Sequence, residues 1–183
     1  MAKLIQKGYG QLELNQVAFR RDGRIEAQCF LDATDFAEIP AENGMILAVD
    51  KVNNSIKLAK DKNLPVALNY TTEHMYDERE EGLRHFKLER GTFLPRFGYL
   101  SVGDRFTTNT CEYGGDGQAT LDEGDIATAL ENAVKTGLYG VPGENGYISL
   151  VTSAPTTGVL LQAIKATTMP DGQPALKFIV NRA

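Results

Sequence analysis

The chain has 183 residues, 42% of them apolar and 23% charged, with 19 basic against 24 acidic residues and a net charge of −5. That size sustains one ordinary domain or two small ones, with a core that needs neither disulfide nor metal. The acidic balance excludes the basic footprint of a protein that coats nucleic acid or an anionic membrane. The longest apolar run, Met45–Val49, is far short of the roughly 18 residues of a membrane span. Met1–Gly8 is too short and polar for a secretory signal.

Most of the chain reads as short strands separated by turn chemistry, which predicts a mainly β fold of antiparallel strands in a barrel or sandwich, with one or two short helices. Leu12, Leu14, Val17 and Phe19 carry apolar positions through 11–19, with a phase slip at Asn15-Gln16. Arg20-Arg21-Asp22-Gly23 then supplies a turn. Ile25, Ala27 and Cys29 alternate with polar residues, so 11–30 is expected to form a hairpin. A second hairpin follows: Met45–Asp50, a turn at Asn53-Asn54, and a strand around Ile56 and Leu58. Leu64–Tyr70 is a further strand with Pro65 at its beginning, where a missing N–H is tolerated.

From Asp77 to Arg90 nine of fourteen residues are charged, which marks 71–90 as a polar, partly helical excursion anchored by Tyr76 and Phe86. Phe93–Val102 is aromatic and apolar, and Arg105–Tyr113 is a threonine-rich strand. Gly114-Gly115-Asp116-Gly117 is the candidate boundary between a β-rich subdomain, 1–113, and a smaller one, 114–183. In the second, Ile126, Leu130 and Val134 recur every four residues. A helix over 122–136, capped by Asp122 and stopped by Gly137, is therefore predicted. Tyr147–Val151, Val159–Thr167 and Ala175–Val180 return to strands, and only Asn181-Arg182-Ala183 reads as unconstrained.

Chemical motifs are sparse. Cys29 and Cys111 are the only cysteines, and buried free thiols are expected over a bridge. His74 and Glu78 share a helical spacing but are too few for a metal site. The glycines at 114–117 lack the Lys-Ser/Thr of a phosphate loop. Gly137, Gly140, Gly143 and Gly146 are assigned to local turns. The carboxylate pairs Glu80-Glu81 and Asp122-Glu123 lie in polar stretches rather than beside aromatic sugar platforms. Asn53-Asn54-Ser55 and Asn69-Tyr70-Thr71 match a glycosylation sequon without the secretory context that would use it. No catalytic residue, metal, nucleotide or covalent cofactor is expected.

Three segments carry a resemblance. Phe93-Leu94-Pro95-Arg96-Phe97-Gly98-Tyr99-Leu100-Ser101-Val102-Gly103-Asp104-Arg105-Phe106-Thr107-Thr108-Asn109-Thr110, the preceding Tyr76-Asp77-Glu78-Arg79 with Gly82-Leu83, and Met169–Phe178 resemble stretches of virion structural proteins of tailed bacteriophages. The resemblance implies a β-rich head decoration or cement protein on the outer capsid surface, assembled in the host cytoplasm. It implies the major capsid protein and further copies of this chain as partners, with neither nucleic acid nor membrane. A head–tail or tail component, a head-fibre base, or a ligand-binding β module or enzyme with a non-local site are the alternatives.

Candidate contact residues are Lys3, Leu4, Ile5 and Tyr9 on the N-terminal arm, with Tyr76, Arg79 and Phe86 in the excursion. Leu4 and Ile5 are costly to leave in water, at roughly 1.5–3 kcal/mol each. The arm is therefore expected either to pair with the chain's own sheet or to reach a neighbour. In the second case, deleting residues 2–7 would leave the domain folded and weaken its attachment.

Overall fold

The computed structural model describes residues 1–60, 63–71, 83–91 and 95–183. The chain opens with β1 (Ala2–Lys3) and β2 (Leu12–Gln16). Where the alternation predicts a continuing strand, the backbone instead turns into α1 (Ala18–Asp22). The phase slip at Asn15 is a register shift against a neighbouring strand, after which β2 pairs once more, at Gln16, and stops. A distant carboxylate then caps the helix, since Asp104 Oδ1 accepts the Ala18 N–H at 2.7 Å. Gly23, at φ 69°, closes it in the left-handed conformation that glycine adopts without steric cost. The hairpin expected over 11–30 does not form: β2 and the next strand, β3 (Ile25–Glu26), lie in different sheets.

The chain continues through β4 (Phe30–Leu31), β5 (Ile46–Asp50), β6 (Ser55–Lys57) and β7 (Val66–Asn69). The second hairpin is present as expected, with β5 and β6 antiparallel and Asn54 at φ 51° in its turn. The helix expected within 71–90 falls mainly on residues 72–82, outside those described, and Leu83–His85 form one 3-10 turn. Next come β8 (Phe97–Gly98), β9 (Arg105–Thr108) and β10 (Cys111–Tyr113), so the single threonine-rich strand is broken at Asn109-Thr110. Helix α2 (Ile126–Thr136) starts later than expected, with Asp125 rather than Asp122 as its cap. Gly137 ends it as predicted.

Strand β11 (Tyr139–Pro142) runs through the glycine series assigned above to turns. There Gly140 is a packing requirement, because a Cβ would stand 2.6 Å from Ile148 Cγ2. Strands β12 (Ile148–Val151), β13 (Leu160–Thr168) and β14 (Pro174–Arg182) complete the fold. Asn181 and Arg182, read as unconstrained, belong to β14. The Arg182 guanidinium also ties down the 155–158 loop through the carbonyls of Pro155, Thr157 and Gly158.

The strands form two mixed sheets, ordered β1-β10-β12-β11-β13-β14-β9-β2 and β3-β8-β7-β5-β6-β4. Pairing is antiparallel except for β10–β12 and β4–β6, which are parallel, in keeping with the mainly β, mostly antiparallel fold expected. The larger sheet takes β1, β2, β9 and β10 from before Gly114 and four strands from after it. The 113/114 boundary thus runs through one sheet.

Both sheets are strongly rolled, and chain length requires it. β9 and β10 stand five places apart in the larger sheet yet are linked only by Asn109 and Thr110. Three chain steps reach at most about 11 Å, whereas five flat strand spacings need about 24 Å. In the smaller sheet the two edge strands, β3 and β4, are joined by residues 27–29, a reach of at most about 14 Å against the same flat separation. Neither sheet closes into a barrel, and the two pack as a sandwich.

The larger core gathers Phe106, Phe178, Leu161 and Leu176 with Leu130 of α2, and receives Ile46, Leu68 and Phe19 from the smaller sheet's side. A second core, around Leu47, Val49, Ile56 and Phe97, fills the smaller roll. Leu47 and Val49 point into the second core while Ile46 faces the first, so β5 is buried on both faces. Its uninterrupted apolar run follows from that double burial.

Gly98 marks where α1 meets the smaller sheet, because a Cβ there would lie 2.4 Å from the Phe19 ring. Gly98→Ala is therefore expected to cost about 2–3 kcal/mol in urea denaturation. Gly23→Ala, with open space but positive φ, is expected to cost about 1 kcal/mol. Equal costs at the two positions would contradict this packing.

Candidate functional site

The N-terminal arm pairs with the chain's own sheet. β1 runs antiparallel to β10, with Lys3 opposite Glu112, and the Leu4 N–H donates to the Cys111 carbonyl. Leu4 is 1% exposed within the larger core, and Ile5 packs half-buried against the second. Leu4 is thus buried by its own domain rather than held out for a neighbour. Lys3 remains exposed, with Nζ 3.8 Å from the Tyr147 ring centroid, a contact worth about 0.5–1 kcal/mol at an exposed site.

The arm is held farther along by Gln173, whose Oε1 accepts the N–H groups of Gln6 and Lys7 at 2.7 and 2.8 Å. Tyr9 donates its N–H to the Arg84 carbonyl, which brings it beside the segment carrying Phe86. Phe86 is itself buried. Tyr76 and Arg79 lie outside the described residues. The structure thus brings Tyr9 and the Phe86 segment together, and places Lys3 and Leu4 separately on β10 and Tyr147. With Leu4 in the core, removing residues 2–7 would destabilise the domain rather than leave it intact, as a buried leucine alone is worth about 2–5 kcal/mol.

Between the two sheets runs a buried polar seam. The Glu42 carboxylate accepts the Gly10 N–H at 2.6 Å on Oε2 and the Tyr147 hydroxyl on Oε1. The Glu42 carbonyl accepts from Asn69 Nδ2 at 2.9 Å. Asn109 Oδ1 accepts the Gln11 N–H, Thr108 Oγ1 donates to the Gln11 carbonyl, and Thr110 Oγ1 donates to the Asn43 carbonyl. Among the described residues, the fully buried side-chain atoms of this seam without a hydrogen-bond partner are Asn43 Oδ1 and Asn109 Nδ2. Burial, followed by the neighbouring Glu42 charge, pushes the Tyr147 phenol far above its usual range. It therefore stays a neutral donor. With both Glu42 oxygens occupied, this pair is committed to holding the fold.

A second buried carboxylate, Glu112, accepts from Ser149 Oγ at 2.7 Å, Gln118 Nε2 at 3.0 Å and Asn145 Nδ2 at 2.6 Å. Three neutral donors supply what water would otherwise provide. Cys29 and Cys111 are buried free thiols, as expected. Burial, with the Glu26 carboxylate beside it, raises the Cys29 thiol to about 11. Burial lifts Cys111 further still. Both are thus held as poorly reactive thiols. Among the described residues no group of three or more His, Cys, Asp or Glu is arranged to hold a metal ion. Asn69 of the second sequon is fully buried.

Where the two sheets splay apart lies a cleft of about 980 Å³, lined by Pro65 and Val66 of the β7 end, Tyr99–Val102 after β8, Pro142 and the 155–159 loop. Its charged side chains among the described residues are Arg24 and Arg182. Arg24 Nη1 donates to Ser101 Oγ at 2.8 Å, and Arg182 binds the loop carbonyls. Lys51 Nζ stands 5.0 Å from the Tyr99 ring centroid. The sequence reading found neither the seam nor the cleft. Both are assembled from residues tens of positions apart, and Glu42-Asn43-Gly44 reads locally as an ordinary turn. No protein-family model matches the chain, and neither a curated protein nor a solved structure matches it.

Two measurements check this account. Tyr147→Phe leaves a buried Glu42 oxygen without its donor and is expected to lower stability by about 1–3 kcal/mol. A cost near zero would remove the clamp. The second concerns Asp50, held well below the usual carboxylate range by the Lys57 ammonium at 2.8 Å and by Asn53. A depressed folded-state pKa contributes stability above the unfolded value of about 3.9 and loses it as pH falls through the folded value. The urea midpoint of Asp50→Asn is thus expected to fall less than that of the unaltered protein between pH 5 and 2. Parallel declines would contradict it.

Proposed function

We propose that this chain is a non-enzymatic virion structural protein, a capsid decoration or cement protein that stabilises the head through contacts with the major capsid protein and with its own copies. The observation that carries the reading is where the fold leaves its large apolar side chains. Of the seven exposed among the described residues, Ile25, Phe30, Ile39 and Val52 belong to the segment that builds the smaller sheet, and Val102 follows directly after it. Phe30 is 62% exposed on edge strand β4, and Val52, in the adjoining β5–β6 turn, is 92% exposed. Ile25 lies on the other edge, β3.

Rolling brings these two edges towards each other, so Ile25, Phe30 and Val52 fall along one rim. Unpaired edge strands bearing exposed aromatics are surfaces that natural proteins cover. A cement protein works by such burial: contacts made only in the assembled state stabilise that state by mass action. The buried carboxylates Glu42, Glu112 and Asp104, by contrast, bind the chain's own backbone and side chains. This division supports a protein whose outer surface carries the work. The resemblance of 93–110 and 169–178 to phage virion proteins supports the same reading.

The test uses capsids stripped of this chain. Phe30→Ser with Val52→Asp is expected to reduce occupancy about tenfold at matched salt, with the urea midpoint of the free protein unchanged. Full occupancy by the double variant would move the contact away from this rim. Failure of the unaltered chain to bind such capsids would overturn the reading itself.

A further inference from the structure

The cleft and the opposite end of the larger sheet carry complementary charge. Arg24 and Arg182 face the cleft, the one carboxylate in its lining is the main-chain group of Ala183, and neither arginine makes an ion pair among the described residues. Elsewhere, residues 114–134 contain Asp116, Asp122, Glu123, Asp125 and Glu131 and no lysine or arginine. These five side chains are exposed and make no ion pair among the described residues. Four of them fall within ten positions, and like charges at that density repel one another.

Strand register places the two patches apart. β10 runs parallel to β12, so the acidic loop that follows Tyr113 leaves from the sheet end defined by Tyr139 and Val151. The Ala119 N–H fixes the loop there by donating to the Leu150 carbonyl. The cleft lies at the other end of β11, at Val141 and Pro142, beside the terminus of β14. A chain cannot fold its own acidic loop into its own cleft.

We propose that the cleft of one copy receives the acidic 116–125 loop of a second copy, a head-to-tail self-contact in which Arg24 and Arg182 meet the carboxylates around Glu123. The second copy is the occupant the observations favour, because its unpaired acidic loop offers carboxylates to a cleft where two guanidinium groups outnumber the single terminal carboxylate. The apolar walls, Val66, Val102 and Val159, meet the outer edges of Leu121 and Ile126, which flank those carboxylates and pack their inner edges on the larger core. Because the two patches differ, the contact is heterologous and propagates as a ring or a chain rather than closing as a two-fold dimer. It deepens the proposed function by naming a self-contact of the decorating chain, and it rests on that reading only for where the contact is used.

The test is sedimentation of the free full chain up to millimolar concentration, at low and high salt, separate from any capsid assay. The unaltered chain is expected to self-associate, less so at high salt. Arg24→Glu and Glu123→Lys are each expected to weaken association about tenfold, with Arg24→Gln intermediate and urea midpoints unchanged. The double variant R24E/E123K restores the attraction and is expected to return to within about threefold of the unaltered chain. An equimolar mixture of the two single variants offers two productive pairings, the loop of R24E in the cleft of E123K and the loop of E123K in the cleft of R24E, and is expected to recover the association that each variant alone has lost. A monomeric unaltered chain, association indifferent to Arg24→Glu, or a double variant no tighter than the singles would each overturn the contact. A chain that self-associates as described yet fails to bind capsids would overturn the function and leave the contact standing.

Discussion

Two residues, Asn109 and Thr110, set the geometry on which the rest of the molecule depends. They carry the chain between strands five places apart in one sheet, and so short a link holds that sheet in a roll. A rolled sheet that does not close leaves backbone groups at the gap without ladder partners, and burying such groups unpaired is costly. The fold answers with side chains: Asn109 takes the Gln11 N–H, Thr110 takes the Asn43 carbonyl, and Glu42 takes the Gly10 N–H. Each bond also ties together segments of different origin. The seam is therefore both the repair of the gap and the joint between the N-terminal arm, the smaller sheet and the larger one.

That joint explains why several polar residues are buried so deeply. Glu42, Asn69, Thr108, Asn109 and Thr110 are all nearly inaccessible, and most of their polar atoms have partners. Each bond made within such a network helps to fix one arrangement of a core, and the unpartnered Asn43 Oδ1 and Asn109 Nδ2 are what this arrangement costs. The close approach that the seam demands also accounts for Gly44. It sits at φ 87°, and a Cβ there would stand 2.3 Å from Thr108 Oγ1. With the interior so committed, the features left over for other molecules are peripheral: the apolar rim of the smaller sheet, the cleft and the acidic loop.

How much of this was legible in the sequence follows from the range of the interactions. The β5–β6 hairpin, the helix at 126–136 with its Gly137 stop, and the long C-terminal strands were readable, because alternation and turn residues encode them locally. α1 was missed because its cap, Asp104, lies 86 positions away, and Phe19 keeps the strand alternation while packing on Gly98. The 105–113 strand was read as continuous because threonine favours strands on both sides of a break that tertiary geometry imposes. β11 was hidden by glycines needed for close packing rather than for turns. Of the candidate contact residues that the structure describes, Lys3 alone is exposed; Leu4 and Phe86 were apolar enough to be noticed and for that reason are buried within the chain itself.

The central claim is that the seam binds both sheets into one cooperative unit, and native-state amide hydrogen exchange tests it most directly. The N–H groups of Gly10, Gln11, Thr110 and Ile148 all donate within or beside the seam. The account predicts that they exchange only through global unfolding, with the same opening free energy as core amides of β5 and β14. Exchange of the seam amides at substantially lower free energy, with β5 and β14 protected to different extents, would show two sheets that open independently and would contradict it.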